Sequence, residues 1–535
     1  MKLSIALSIV LIFSPLIVVG NIIAIDYETI VNEICENETL TLQFSSSTDF
    51  NENSIISPTL KCIAIKGYVS TFKNGVFKNV PNLKFLDLSN NQISSDDLFN
   101  FGNLSNVKIL NLCNQNGYRN YRTIVDSVYP ELEYLNLRNA GIEELQSSLS
   151  NPFPKLKYLD LSKNRIHSRQ SLSINMFSTL THLDLSSNNI DQFSFTRMEN
   201  LLSLTLDHNA IQNLESSMGI DLTGLEKLEN LSLAYNKISY IDSSAIETMP
   251  NLRYLNFSGN SLSLFNFDMF KSVKSLDILV LDSNSLDNVP ITAPLNITQL
   301  SLNRNNIRYL AINTFFYLHS LKKLFLSENK IQSIQVDAFQ NQVLLEELYL
   351  NDNQLSYLPI GWCDSMKMLR YLNLAGNKFA LLESVIYSSD LPVQHLHFER
   401  NPLTYINGTL SRLIPVNMTI YLNVNVSSRS TSYVRASTMY LLFPIISNKL
   451  TQLSIDIRGG GSCKFAVISC LQPEETEESS HNGTHSIILC RFTCYFLRQI
   501  TIHQSYLFSF VSVYIDMFRY VMQSISATYP CLSLS

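Results

Sequence analysis

Cysteine is scarce in this chain, nine among 535 residues, too few for a small scaffold built on disulfides. A basic excess is absent as well. Thirty-nine Lys and Arg stand against 45 Asp and Glu, for a net charge of −6 and a pI near 5.9, so the cationic stripe that phosphate contacts require is missing. Nucleic acid is therefore not an expected partner. Catalytic signatures are missing too. The chain has no H-E-x-x-H, no G-x-S-x-G, no phosphate-binding glycine loop and no C-x-x-C, so neither catalytic nor cofactor-binding residues are assigned and no cofactor is expected.

What is present begins at the N-terminus. Lys2 precedes an apolar run from Leu3 to Val19, interrupted by Ser4, Ser8, Ser14 and Pro15, with small residues at Gly20 and Ala24 before the chain turns polar at Asp26. This is the layout of a signal peptide, and residues 1–20 are expected to be removed on export. The rival reading, an uncleaved anchor, fits less well, because a bilayer helix needs roughly 20 apolar residues.

The dominant feature is an internal repeat, L-x-x-L-x-L-x-x-N. Full copies start at Leu83, Leu156, Leu180, Leu201, Leu228, Leu252, Leu276, Ile297, Leu321, Leu345, Leu369 and Val393, with weaker ones at Val107 and Leu132. Most starts are 24 residues apart, and a degenerate copy, Leu60-Lys-Cys-Ile63-Ala-Ile65, precedes them. Fourteen copies in register point to a repeat architecture.

Within a copy, apolar residues two apart, such as Leu159 and Leu161, share one face of a strand, and that face is the core. The closing asparagine (Asn164, Asn188, Asn236 and their equivalents) turns inward, where its amide can serve backbone groups that the turn leaves unpaired. Apolar residues two further on (Ile166, Ile190, Ile211) fill the turn, and pairs such as Phe270 with Val273 and Phe315 with Leu318 fill the return path. No repeat buries its apolar set alone, so stability comes from stacked neighbours. Gln115 and Ala140 stand at the asparagine position in two copies. Neither is expected to complete the ladder in the same way, and residues 113–142 are expected to be irregular.

Across residues 83–405 the chain resembles the leucine-rich-repeat superfamily in its extracellular animal form. It is similar to receptor ectodomains of the Toll-like or adhesion type and to invertebrate leucine-rich immune proteins. The resemblance implies an α/β solenoid, a curved horseshoe with a parallel concave β-sheet and a mostly irregular or short-helical convex side. It also implies a binding function without catalysis. The chain departs from the immune proteins in lacking a heptad-patterned C-terminal coiled coil, and from Toll-like receptors in lacking a convincing membrane span and a signalling domain.

An open solenoid needs end caps. Residues 21–82 are read as the N-terminal cap, where Cys35 and Cys62 bracket the alternating segment Leu40-Thr-Leu42-Gln-Phe44. In a secreted protein they suggest a disulfide, with two free buried thiols as the alternative. Cys113 and Cys363 receive no partner. After Asn401-Pro402-Leu403 many extracellular relatives carry a cysteine-rich cap, but Thr404-Tyr405-Ile406 has no cysteine. Residues 406–460 are read as a degenerate repeat or C-terminal cap, with strand-like stretches at 416–426 and 450–457, and 461–535 as a cysteine-containing tail. Its five cysteines (463, 470, 490, 494 and 531) are an odd number, which leaves one for a disulfide-linked dimer. The best membrane window, 506–525, carries Asp516 and Arg519 and comes out unfavourable by about 2 kcal/mol. A membrane-tethered receptor is thus the second reading.

One constellation invites a metal. His395, His397 and Glu399 share a strand face and could hold zinc, but the neighbouring strand offers Tyr371, Asn373 and Ala375, so a solvated polar face is the preferred reading. A metal-dependent enzyme is the remote alternative, and no metal residue is assigned.

Binding remains. The strand residues that point away from the core form a column including Phe85, Ile109, Tyr134, Tyr158, His182, Tyr254, Lys323, Glu347, Tyr371 and His395. Phe85, Tyr134 and Tyr158 with Asp87, Asp160, Asp184 and Asp207 make an aromatic and acidic surface suited to an extracellular protein ligand or co-receptor carrying basic groups. The plain alternative is that tyrosines are good β-formers. The next candidate surface is Phe325, Tyr349 and Tyr371. Asn303 is expected to face outward. Sequons at Asn37, Asn103, Asn230, Asn256, Asn296, Asn407, Asn417, Asn425 and Asn482 fit a secretory route, and Asn256 is placed on the concave side. The expected function is a secreted binding protein of immune recognition or cell adhesion.

Overall fold

In the computed structural model the described residues are 27–36, 38–117, 122–215, 219–404, 413–415 and 418–423, together with the backbone of 453–456, 466–469 and 491–494. Residues 1–20, the segment 506–525, Asn37, Asn407, Asn417, Asn425, Asn482 and the side chains of the five tail cysteines lie outside the described residues. The chain divides into two compact units, 1–423 with 430–453, and 424–429 with 454–535. In the second unit the strands Ala466–Ser469 and Arg491–Cys494 pair antiparallel.

The first unit is a solenoid. A helix, Tyr27–Cys35, leads into two long parallel strands, Leu40–Phe50 and Cys62–Phe72. From Phe85–Asp87 onward each repeat contributes one three-residue strand, paired parallel with the next. The pairing sets leucine beside leucine: Leu86 faces Leu110, then Leu135, Leu159, Leu183 and Leu204. This central column is buried throughout. The sheet extends past the last full repeat through Thr419–Asn423, which pairs with His395–His397.

The asparagine ladder ties each repeat to the one before. Asn188 Nδ2 donates to Leu185 O in its own turn (2.9 Å) and to Leu161 O in the preceding one (3.0 Å), while its Oδ1 accepts from Ile166 N (3.0 Å). Asn236, Asn260, Asn329 and Asn377 repeat the pattern. Asn91 already makes these bonds to Ile65 and Val69, so the degenerate copy at Leu60 is a structural turn. The residue before each ladder position adopts positive φ, 52–69° from Asn90 to Arg400. That conformation costs a non-glycine residue roughly 1–2 kcal/mol, and the ladder bonds offset it.

The expectation about Gln115 fails. Its Nε2 donates to Leu88 O (2.8 Å) and Leu112 O (3.1 Å), and its Oε1 accepts from Ile93 N (3.3 Å). The extra methylene is absorbed and the rung is complete. At Ala140 the side-chain rung is missing, and Asn164 Oδ1 instead accepts from both Ala140 N (3.1 Å) and Ile142 N (3.0 Å).

The return paths carry short 3₁₀ turns, such as Phe267–Phe270 and Val336–Phe339, and one short α-helix, Ser243–Glu247, whose N-terminus is capped by Asp242. Phenylalanines stack there from repeat to repeat, Phe315 on Phe339 with centroids 5.8 Å apart.

Candidate binding face

Each strand reads outward–inward–outward, so the sheet presents two columns of side chains away from the core, and a third two residues later where the strand turns. The columns begin under a cover. Ile30, Val31, Ile34 and Cys35 of the N-terminal helix pack on Phe85 and Ile109, and Cys35 is joined to Cys62 in a disulfide. Phe85 is only 4% exposed and Ile109 1%. Phe85 points away from the core, as strand alternation requires, yet it is not on an open surface. Asp87 is buried beside it, with Oδ2 paired to Lys66 (2.9 Å) and Oδ1 accepting from Ser89 N (2.9 Å). These two expected binding residues belong to the cap junction.

Tyr134 and Tyr158 stand at the edge of the cover, half-buried, and run with His182 as a file of rings with centroids 6.0 and 4.6 Å apart. In the parallel column Asp160 and Asp184 lie side by side. Each also has a local duty: Asp160 Oδ1 accepts from Ser162 N, and Asp184 Oδ1 from Ser186 N, both at 2.8 Å. Burial pushes the Asp184 carboxyl up to about 6, with the Asp160 charge adding to it. Burial, reinforced by Asp160, likewise raises Tyr134 to about 12, and burial lowers His182. The structure thus brings Tyr134, Tyr158, Asp160 and Asp184 together in one patch with His182.

Asp207 does something else. It sits in the third column, and its Oδ1 accepts from Ser232 Oγ (2.6 Å) and Ala234 N (2.7 Å) of the next repeat. Burial raises its carboxyl, with the Ser232 bond opposing. Asp282 makes the same pair of bonds to Ser301 Oγ and Asn303 N. Sequence reasoning missed this linking role. The signal for it was an aspartate in the third column followed by serine on the next strand. Asn303 is correspondingly not a free outward residue: its amide donates to Asp282 Oδ2 (3.3 Å) and Ser301 Oγ (3.0 Å) and accepts from Ser327 N (2.8 Å).

Farther along, Phe325, Tyr349, Tyr371, His397 and Tyr421 form a second ring file, with successive centroids 4.6, 4.9, 5.1 and 4.2 Å apart. The rings use their faces on one another; Phe325 is buried, and the half-buried Tyr349 donates its hydroxyl to Glu347 Oε2 (3.0 Å). His397 lies flat on Tyr421, and its Nδ1 is 3.1 Å from Glu399 Oε1, whereas His395 Nδ1 lies 3.4 Å from the Tyr421 hydroxyl. Among the described residues no group of three or more His, Cys, Asp or Glu is arranged to hold a metal ion.

Between the two ring files lie sequons. Asn230 occupies the first outward column beside Tyr254, and Asn256 the second beside Ser232. Asn256 Oδ1 accepts from Ser258 N (2.9 Å) and Ser258 Oγ (2.6 Å). Asn103 and Asn296 are exposed, away from this face. An open groove on the flank preceding the strands, about 540 Å³, is lined in part by Lys155, Lys157 and Lys227. These are already engaged by Glu131, Glu133 and Asn200.

Comparison with known proteins agrees with this geometry. Family models for the leucine-rich repeat match residues 82–104, 178–191, 226–286, 295–355 and 320–379. Osteomodulin of Rattus norvegicus is 31% identical over 159 residues, 29% of this chain and 36% of the relative. Keratocan of Mus musculus is 31% identical over 144 residues, 26% of this chain and 39% of the relative. The chain therefore spans little more than a third of the length of these curated relatives. Among solved structures, a leucine-rich-repeat protein of Leptospira interrogans is similar with a TM-score of 0.47 and 22% identity, over 68% of this chain and 85% of that one. The mouse RP105/MD-1 complex gives 0.44 and 19%, over 68% and 75%. Repeat, ladder and family matches together make this chain a leucine-rich-repeat protein, similar over part of its length to osteomodulin and keratocan.

Proposed function

We propose that the protein is exported through residues 1–20 and binds another extracellular protein on the outward face of its sheet, in immune recognition or cell adhesion, without catalysis or cofactor. The observation that supports this reading is the patch of Tyr134, Tyr158 and His182 beside Asp160 and Asp184. Rings held against one another lose little freedom on binding, and half-buried aromatics are common interface anchors. The carboxylates favour a partner with basic groups. Glycans on Asn230 or Asn256 would screen the middle of the face and confine contacts to its two ends. A disulfide-linked dimer through a tail cysteine is part of the same proposal. Among the described residues no helix is long and apolar enough to cross a membrane.

The test compares baits in extracellular fluid: wild type, the double variant Tyr134→Ala, Tyr158→Ala, and Lys271→Ala, whose side chain lies in an exposed pair with Asp268. A partner captured by wild type and Lys271→Ala should bind the double variant at least tenfold more weakly, since anchors commonly contribute 2 kcal/mol or more and 1.4 kcal/mol is one decade. Equal affinity with unchanged circular dichroism would remove the patch and turn attention to Phe325, Tyr349 and Tyr371.

A further inference from the structure

Two of the aspartates in the outward columns have no countercharge. Asp87 is paired with Lys66, and Asp207 is committed to Ser232 and Ala234 of the next repeat. Asp160 and Asp184 meet each other instead. They are register partners on adjacent parallel strands, which lie about 4.8 Å apart, and both are half-buried. Each uses Oδ1 to accept from the backbone N–H of its own turn, Ser162 and Ser186, at 2.8 Å. Among the described residues no lysine or arginine forms an ion pair with either.

The groups around the pair do not compensate it. Ser203 and Thr205 of the following strand are uncharged, and Asp207 beyond them adds a further negative charge. Arg138, in the turn of the preceding repeat, gives its guanidinium to Ser162 Oγ (2.9 Å). Burial raises the Cys113 thiol and the Tyr134 hydroxyl, so both are neutral. Burial also lowers His182, in the adjoining column, so it supplies no cation at neutral pH. Two carboxylates sharing a half-buried place cannot both be charged without cost. Burial and the Asp160 charge together push Asp184 up to about 6.

We propose that Asp160 and Asp184 form a proton-gated seat for an arginine side chain of the protein partner, open at neutral pH and closed in mild acid. The inference rests on the reading of this face as the partner's surface, and it names the group that the face takes. A guanidinium presents a planar fork of donors that matches carboxylate oxygens. The chain holds one in this way itself, where Arg400 reaches across a repeat to both oxygens of Asp352. An arginine between Asp160 and Asp184 supplies the countercharge that the pair lacks. Protonating Asp184 removes one of the two charges and puts a hydroxyl where a donor must lie. Affinity therefore falls as pH drops through about 6 and is level above it.

Binding of the purified, secreted full chain to immobilised tetra-arginine and to tetra-citrulline, its uncharged counterpart, tests the seat at about pH 7.5 and about pH 5. Wild type should prefer tetra-arginine at the higher pH and lose about tenfold in affinity at the lower, one pH unit below the Asp184 titration. Asp184→Asn keeps an oxygen for Ser186 N. It should bind about tenfold more weakly than wild type at the higher pH, a loss of one decade, and change little on acidification. Glu199→Gln, which alters an exposed carboxylate outside the sheet, should behave as wild type. Equal affinity of wild type and Asp184→Asn at the higher pH, equal affinity of wild type at both, or an acid loss undiminished in Asp184→Asn would each overturn the proposal. None of these outcomes decides how Tyr134→Ala, Tyr158→Ala binds a captured partner, so the seat and the aromatic patch stand or fall separately.

Discussion

Arg400 reaches across a whole repeat to Asp352, donating from Nη1 and Nη2 to both carboxylate oxygens at 2.5 and 3.0 Å. The two lie 48 residues apart and both have positive φ. The intervening residue of that column is Gly376, φ 67°, and a Cβ there would collide with Asp352 Oδ1 and press on the Arg400 guanidinium. Burial raises the Asp352 carboxyl, but the bonds from Arg400 outweigh it and hold the group below its ordinary value. Gly376→Ala should therefore destabilise by about 1–2 kcal/mol, from strain at positive φ and the displaced pair together. Arg400→Ala, which removes a half-exposed ion pair, should cost under about 1 kcal/mol. Thermal midpoints of the two variants decide it, and a larger loss in Arg400→Ala would contradict the assignment.

The ladder gives a second comparison. Asn236 donates to Leu206 O, Leu233 O and Ala234 O and accepts from Ile211 N. Asn236→Ala strands these groups in the core, at about 1–3 kcal/mol. Lys237→Ala, exposed on the next residue, should alter stability by less than about 0.5 kcal/mol. Asn303 is unsuitable as the control, given its bonds to Asp282 and Ser301. Equal midpoints for Asn236→Ala and Lys237→Ala would show that the ladder does not hold the stack.

A third expectation concerns pH. The Asp184 carboxyl titrates near 4 when unfolded and is pushed up to about 6 by burial and by Asp160 in the folded chain. Between those values the folded state holds the extra proton, so this group's contribution to stability falls as pH rises from about 4 to about 6 and is level above that. Asp184→Asn keeps an oxygen for Ser186 N and removes the charge. It should be more stable than wild type by up to about 3 kcal/mol at pH 7, with the difference vanishing near pH 4. A difference independent of pH would refute the shift.

The cap supplies a fourth. Cys35 and Cys62 are 27 residues apart, and opening a loop of this size costs about 3 kcal/mol in the chain-entropy account. The variant Cys35→Ser, Cys62→Ser should lower the thermal midpoint and admit protease at residues 27–36, because the helix then loses its covalent tie and keeps only its packing on Phe85 and Ile109 and non-covalent contacts such as the exposed Glu36–Lys61 pair. An unchanged midpoint and cleavage pattern would show that packing suffices.

How legible was this in the sequence? The coil itself was plain, because Leu159 and Leu161, or Leu231 and Leu233, repeat an inward pattern that only stacking can bury. The direction of outward residues was plain as well, since alternation fixes it. Alternation does not say what arrives from elsewhere: Phe85 points outward correctly, and Ile30, Val31 and Ile34 of a distant helix cover it. Gln115 was misjudged because the rung depends on an amide reaching three backbone groups, and a longer amide can do so by bending. Asp207 and Asn303 were misplaced for a related reason: a polar residue at the strand end can serve the next repeat's backbone instead of facing the solvent.

The ladder has a mechanical consequence. Since every amide grips its own turn and the preceding one, a pull on the ends loads each junction alike, and releasing one repeat frees about 80 Å of slack from its 24 residues. The junction at Ala140 has no side-chain rung, which makes it the fuse of the stack. In an optical trap the first step should begin there, and Ala140→Asn should raise its force. A first rupture left unmoved by that substitution would place the weak point elsewhere along the coil.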